Sequence, residues 1–186
     1  MREQVRNYIL NHEADIDADQ FDWLFAAAPS AGVEKHELML VLMEAGIEPL
    51  RFMESIPNRS FYQYPHELTI PSNIESIQMC AFEEAKFTEL VIPENVNHIG
   101  SAAFKNCSNL RRLTFPKSLV KIQSWILFHC YDFEEIIYEG TKDEFLNISE
   151  MRVGTFIPET SIDSYNFKIT CTDGIIGLKD LLHYAK

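Results

Sequence analysis

Three aspartates at alternate positions, Asp15, Asp17 and Asp19, have the carboxylate spacing that opens a calcium-binding loop. Such a loop also needs a glycine at its sixth position for the sharp turn and a bidentate glutamate at its twelfth. Those positions hold Gln20 and Ala26, so the cluster reads as the acidic start of a helix, where negative charge meets the positive end of the macrodipole. The four cysteines, Cys80, Cys107, Cys130 and Cys171, form no C-x-x-C pair. They read as small, reduced core residues rather than as metal ligands or disulfide partners. The six histidines make no H-E-x-x-H pair, and neither G-x-S-x-G nor a P-loop occurs. With no convergent acid, base and nucleophile, the expectation is a protein without catalytic residues, metal or cofactor. The N-x-[ST] triplets at Asn58, Asn106 and Asn147 would matter only in a secreted chain.

Charge narrows the partners. The chain has 28 acidic against 16 basic side chains, a net charge of −12, and every third of it is acidic. No basic patch exists to neutralise a phosphate backbone, so direct nucleic-acid binding is not expected. A hydrophobic fraction of 46% with 12% aromatic residues is far from a disordered composition, and 186 residues suffice for a real core. The longest apolar runs, Trp23–Ala28 and Leu38–Met43, are six residues each, against the ~20 that a bilayer span requires. The opening MREQVRNYILNHEAD has no apolar core of signal-peptide length. No membrane association and a cytoplasmic location are therefore expected.

The elements that must carry any function are repeats. In segments beginning at Leu68, Leu90 and Leu113, prolines recur as Pro71, Pro93 and Pro116, at spacings of 22 and 23 residues. The apolar columns Ile74, Val96, Leu119 and Ile77, Ile99, Ile122 follow, then Phe82, Phe104, Leu127 and Ala85, Cys107, Cys130. Each L-x-[IF]-P segment alternates with period 2 and reads as a short strand ended by proline, with Ile136–Tyr138 as a fourth. Asn73, Asn95, Ser118 and Thr141 recur five residues after each strand's first apolar residue, where a short polar side chain can bond the adjoining turn. Phe61 with Ile56-Pro57 reads as the remnant of an incomplete unit.

The pattern I-P-x-x-[VIL]-x-x-I-[GQ]-x-x-A-F-x-x-C-x-x-L, clearest in IPENVNHIGSAAFKNCSNL, resembles the BspA-type leucine-rich repeats of bacteria. IIYEGTKDEFLNI resembles the way such arrays end, and KITCTDGII resembles the tail that often follows, so the resemblance spans about Ile56 to Ile176. It implies a right-handed solenoid of stacked short strands used for binding and often displayed on bacterial surfaces. Members of that kind usually carry a secretion signal and more repeats than are seen here.

Residues 1–55 lie outside the resemblance and read as helices. Asp17 and Gln20 make a capping box, and Phe21, Leu24, Phe25 and Ala28 follow helical spacing until Pro29. A second helix is expected from Val33 or Glu34 to Ala45, before Gly46 and Pro49, and a shorter first helix over Arg2–Leu10. Leu178, Leu181, Leu182 and Ala185 predict a short closing helix after a turn at Asp173-Gly174. The expected fold is thus α+β, a short right-handed leucine-rich-repeat solenoid of about four stacked strands. Residues 1–55 form an N-terminal helical cap, 56–148 the repeat block and 149–186 a C-terminal cap, since solenoid ends must be covered.

Residues flanking the inward strand positions stack from turn to turn. Glu67, Glu89, Arg112 and Glu135 form one outward column, and Thr69, Val91, Thr114 and Ile137 a second, together the concave sheet face. That face is the candidate binding surface, with Val91 and Ile137 as apolar contacts and the glutamates favouring a basic partner. The expected function is a non-catalytic intracellular protein-binding module with a protein partner. Two alternatives stand beside it: an acidic phage-encoded inhibitor or nucleic-acid mimic acting on a host nucleic-acid enzyme, and a fragment of a secreted surface adhesin.

Overall fold

The computed structural model describes residues 2–12, 16–148 and 153–183. Asp15 of the acidic cluster and Ala185 of the closing helix lie outside them. Among the described residues, no helix is long and apolar enough to cross a membrane.

The cap begins with α1 (Arg2–His12), which contributes Ile9 to the interior. The capping box of Asp17 and Gln20 starts α2 (Ala18–Ala27): the Gln20 N–H donates to Asp17 Oδ1 at 2.9 Å and the Asp17 N–H to Gln20 Oε1 at 3.0 Å. That reciprocity satisfies two donors a helix start otherwise leaves unpaired. α3 (Lys35–Glu44) opens with the Glu34 N–H donating to Glu37 Oε2, and Gly46 at φ +79° turns the chain away beyond its end. Ile9, Ile16, Phe21, Leu24, Val33, Leu38, Leu42 and Ile47 make the cap's own core. Met39 and Leu50 belong instead to the core of the repeats, and Phe25 and Met53 touch both, so the cap seals the first turn.

Each turn of the solenoid has three sides. On the first, β1 (Ser55–Ile56), β2 (Ser76–Ile77), β4 (His98–Ile99) and β6 (Lys121–Ile122) form a parallel sheet in the order β1-β2-β4-β6. Each of these two-residue strands turns an isoleucine inward. On the second side, β3 (Glu89–Val91), β5 (Arg112–Phe115), β7 (Glu135–Tyr138) and β8 (Lys168–Cys171) run parallel, and β9 (Gly174–Gly177) closes the sheet antiparallel to β8. Leu90, Leu113, Ile136 and Ile169 stand in one buried row. The third side has no strands. There the turns join by backbone bonds at alternate residues, as from Phe82 N–H to the Ala103 carbonyl at 2.9 Å and from Phe104 N–H to the Ile126 carbonyl at 3.0 Å.

Phe61, Phe82 and Phe104 form a stack through the core, with 5.5 Å between successive centroids and the Phe82 and Phe104 planes 5° apart. The Cys107 thiol donates to the Phe82 carbonyl and the Cys130 thiol to the Phe104 carbonyl, each at 3.0 Å, which explains a cysteine in that column. The short polar residues bond as their spacing suggests. Asn73 Nδ2 donates to the Leu50 carbonyl and Ser118 Oγ to the Val96 carbonyl, both at 2.8 Å, while Thr141 caps α4 (Lys142–Leu146).

Third-side corners need left-handed backbone. Arg59, Cys80, Ala102 and Trp125 form one such column and Gln63, Glu84, Asn106 and His129 another, all with φ between 54° and 63°. At the far end, α5 (Val153–Phe156) receives the N–H groups of Trp125, Ile126 and Leu127 on the carbonyls of Gly154, Thr155 and Phe156. The C-terminal segment therefore continues the stack on two sides.

Two details differ from the sequence reading. Ile56 is part of a strand, β1, which opens the first sheet. Leu68–Ile70 joins no ladder. Just before it, the Glu67 carboxylate accepts the Thr88 N–H at 3.0 Å, where one turn later the Arg111 N–H finds the Thr88 backbone carbonyl at 2.8 Å. The expected short closing helix is present as a 3-10 helix over Leu178–His183, burying Leu178 and Leu181.

Candidate binding surface

The second sheet sets its outward residues in two ladders. Glu89, Arg112, Glu135 and Lys168 lie side by side on β3, β5, β7 and β8. Their charges alternate and are joined: Arg112 Nη1 is 2.6 Å from Glu89 Oε1, Arg112 Nε 3.5 Å from Glu135 Oε2, and Lys168 Nζ 3.2 Å from Glu135 Oε1. Thr170 Oγ1 donates to Glu135 Oε1 at 2.6 Å, and this bond, followed by those to Lys168, holds the Glu135 carboxyl below the usual range against the opposing effect of burial. The row thus has little net charge of its own.

The second ladder is Val91, Thr114, Ile137, Thr170 and Ile175, spanning β3 to β9. Val91 and Ile175, at its two ends, are 62% and 59% exposed, while Thr114, Ile137 and Thr170 between them are half-buried. The result is an apolar and hydroxyl stripe beside a row of paired charges. Of the residues expected on this face, Glu89, Val91, Arg112, Thr114, Glu135 and Ile137 come together in the ladder. Glu67 and Thr69 are exposed but precede it, with Glu67 committed to Thr88.

Lys168, Thr170 and Ile175 arrive from the tail and escaped the sequence reading. Their signal was present: Lys168 and Thr170 alternate with apolar Ile169 and Cys171, and the Asp173-Gly174 pair is a hairpin-turn dipeptide. Gly174 has φ +144°, a conformation few other residues adopt. Burial pushes the Cys171 thiol up to about 11, so this inward cysteine of β8 stays protonated at neutral pH.

A second concavity lies between the cap and the first turn. This cleft of about 610 Å³ runs between α1, α3 and the Phe61–Pro65 segment, with Glu3, Glu44 and Tyr62 among its walls. Arg6, which also lines it, is held 3.5 Å from Glu44.

The repeat geometry has a counterpart in sequence families. Residues 54–173 match the BspA type leucine rich repeat region, in six copies, and the chain belongs to that family. No curated protein matches it. Among solved structures, the pneumococcal vaccine antigen PcpA is similar at 24% identity and a TM-score of 0.50, over 72% of this chain and 31% of that one. A leucine-rich repeat protein from Eubacterium ventriosum matches at 20% identity and a TM-score of 0.44, over 57% of this chain and 30% of that one. A leucine rich cell surface protein from Faecalibacterium prausnitzii matches at 21% and 0.42, over 53% and 33%. The chain therefore spans about a third of the length of each of these three.

Proposed function

We propose that this chain is a non-catalytic, intracellular protein-recognition module that meets its partner on the second sheet. The carrying observation is the stripe from Val91 to Ile175, exposed at both ends and bordered by a row of charges that already satisfy one another. Apolar contacts ringed by polar groups are the usual make-up of a recognition patch. The paired row supports selection by shape and apolar contact more than by a basic partner, since Glu89 and Glu135 share their charge with Arg112 and Lys168. The same pairing weighs against the phage-encoded nucleic-acid mimic, whose carboxylates would have to stand unpaired in place of phosphates. Four free cysteines, two of them donating thiol hydrogen bonds inside the stack, favour a reducing compartment over a secreted adhesin.

Affinity capture from bacterial lysate with the parent and with a Val91→Asp, Ile175→Asp double variant tests the proposal. The parent should retain a defined protein at both low and high salt, and the variant should lose it while melting normally. Equal capture by both would show that the sheet is the wrong surface.

A further inference from the structure

On the third side, the last turn departs from the one before it in a consistent direction. Aligning Trp125–Tyr131 with Ala102–Ser108 leaves the inward residues small or apolar, with Ile126 for Ala103, Leu127 for Phe104 and Cys130 for Cys107, all buried. The outward residues change from Ala102, Lys105, Asn106 and Ser108 to Trp125, Phe128, His129 and Tyr131. Their rings run in a continuous chain, with centroids 6.4 Å apart from Trp125 to Phe128, 3.8 Å from Phe128 to His129 and 5.6 Å from His129 to Tyr131. Tyr165 extends the chain by 5.3 Å and anchors it, because its hydroxyl accepts the His129 N–H at 2.7 Å.

Stability does not account for this arrangement. Trp125 is 51% and Tyr131 56% exposed, so about half of each large side chain faces water. Trp125 and His129 stand at left-handed corners, φ 63° and 62°, as Ala102 and Asn106 do one turn earlier, so the backbone is common to the turns and only the side chains differ. What sets this turn apart is therefore the exposed aromatic surface alone, and clustered exposed rings mark a surface that is used.

We propose that Trp125, Phe128, His129 and Tyr131 form a platform that binds a neutral polysaccharide, with sugar rings lying on the aromatic faces. The chemistry around the rings selects this ligand class. Asn106 Oδ1 is 2.9 Å from His129 Nδ1, and the Ser108 and Tyr131 hydroxyls add uncharged hydrogen-bonding groups at the edges. The neighbouring Asp132 carboxylate is paired with Arg111 at 3.4 Å and Lys105 with Glu83 at 3.0 Å, so the nearby charged groups are engaged in ion pairs while the four outward side chains of the platform add hydrogen-bonding and ring surface. A pyranose chain matches these demands, with an apolar C–H face for stacking and hydroxyls around its rim. A ring with a flat π-face and a polar neighbourhood serves both.

Native gel electrophoresis through hydroxyethylcellulose, xylan, laminarin or soluble starch, with dextran sulfate as the charged control, tests the proposal. The parent should be retarded by at least one neutral polymer. A Trp125→Ala, Tyr131→Ser variant carries the residues of the preceding turn and should lose about tenfold or more of that affinity, the scale of a lost stacking contact. Tyr131→Ser alone, at an exposed site, keeps the test valid if the double variant melts early. The proposal fails if no neutral polymer retards the parent, if the folded variants are retarded equally, or if dextran sulfate alone acts.

Discussion

Glu83 Oε1 lies 3.0 Å from Lys105 Nζ, one turn further along the stack, although only 5% of Glu83 reaches solvent. Arg59, from the turn before, reaches Glu83 Oε2 at 2.7 Å, so one buried carboxylate ties three successive turns. Removing it would leave the Arg59 and Lys105 cations without the carboxylate they share. Because Arg59 and Lys105 are themselves partly solvated, Glu83→Ala should cost about 1 to 3 kcal/mol, less than for a fully buried pair. Urea unfolding measures this directly, and Lys105→Ala should cost less than Glu83→Ala.

Phe104 is wholly buried at the end of the phenylalanine stack, against Phe82 on one side and Leu127 in the next turn. Phe104→Ala should destabilise the protein by roughly 3 to 5 kcal/mol, with the midpoint of urea unfolding falling accordingly. A loss below ~1 kcal/mol would mean that the turns are not cooperatively packed.

Ala102 holds φ 55° without being a glycine. Relieving that strain outweighs the extra chain entropy glycine brings, so Ala102→Gly should raise stability by about 0.5 to 1 kcal/mol. Ala103→Gly, at the buried neighbour outside the left-handed column, should lower it, and thermal melts of the pair give the comparison.

Glu135 titrates below its ordinary value of 4.5 in the folded state, first through Thr170 and then through Lys168 and Arg112. A folded pKa below the unfolded one adds stability that is fully present above the unfolded value and is lost as pH falls through the folded one. Parent and Glu135→Gln should therefore differ most near neutral pH, and the difference should shrink only as pH falls below the ordinary carboxylate range, as measured by melting temperature across acid to neutral pH.

The repeat was legible because its columns are burial columns. Ile77, Ile99 and Ile122 pair with one another in the first sheet, and Leu90, Leu113 and Ile136 in the second, just as their spacing aligns them. The α2 start was legible because Asp17 and Gln20 carry their own bonding pattern. What the sequence concealed was set by neighbours. Leu68–Ile70 fits the strand columns yet joins no ladder, with the Glu67 carboxylate on Thr88 just before it, and the left-handed corners fall on Ala, Cys and Trp, residue types that announce no turn. The aromatic side passed unread although the columns already placed Leu127 and Cys130 inward, because only the packed turn shows that the rings between and beside them meet one another.

The bonds from Trp125, Ile126 and Leu127 to α5, and from β7 to β8, give the molecule a direction in time. Turns built on β1, β2 and β4 can close one after another as the chain leaves the ribosome, each needing only the next unit of 22 or 23 residues. The last turn cannot. Its ladder waits for Val153–Phe156 and Lys168–Cys171, so the nascent protein holds an unfinished edge until the segment through Cys171 has emerged.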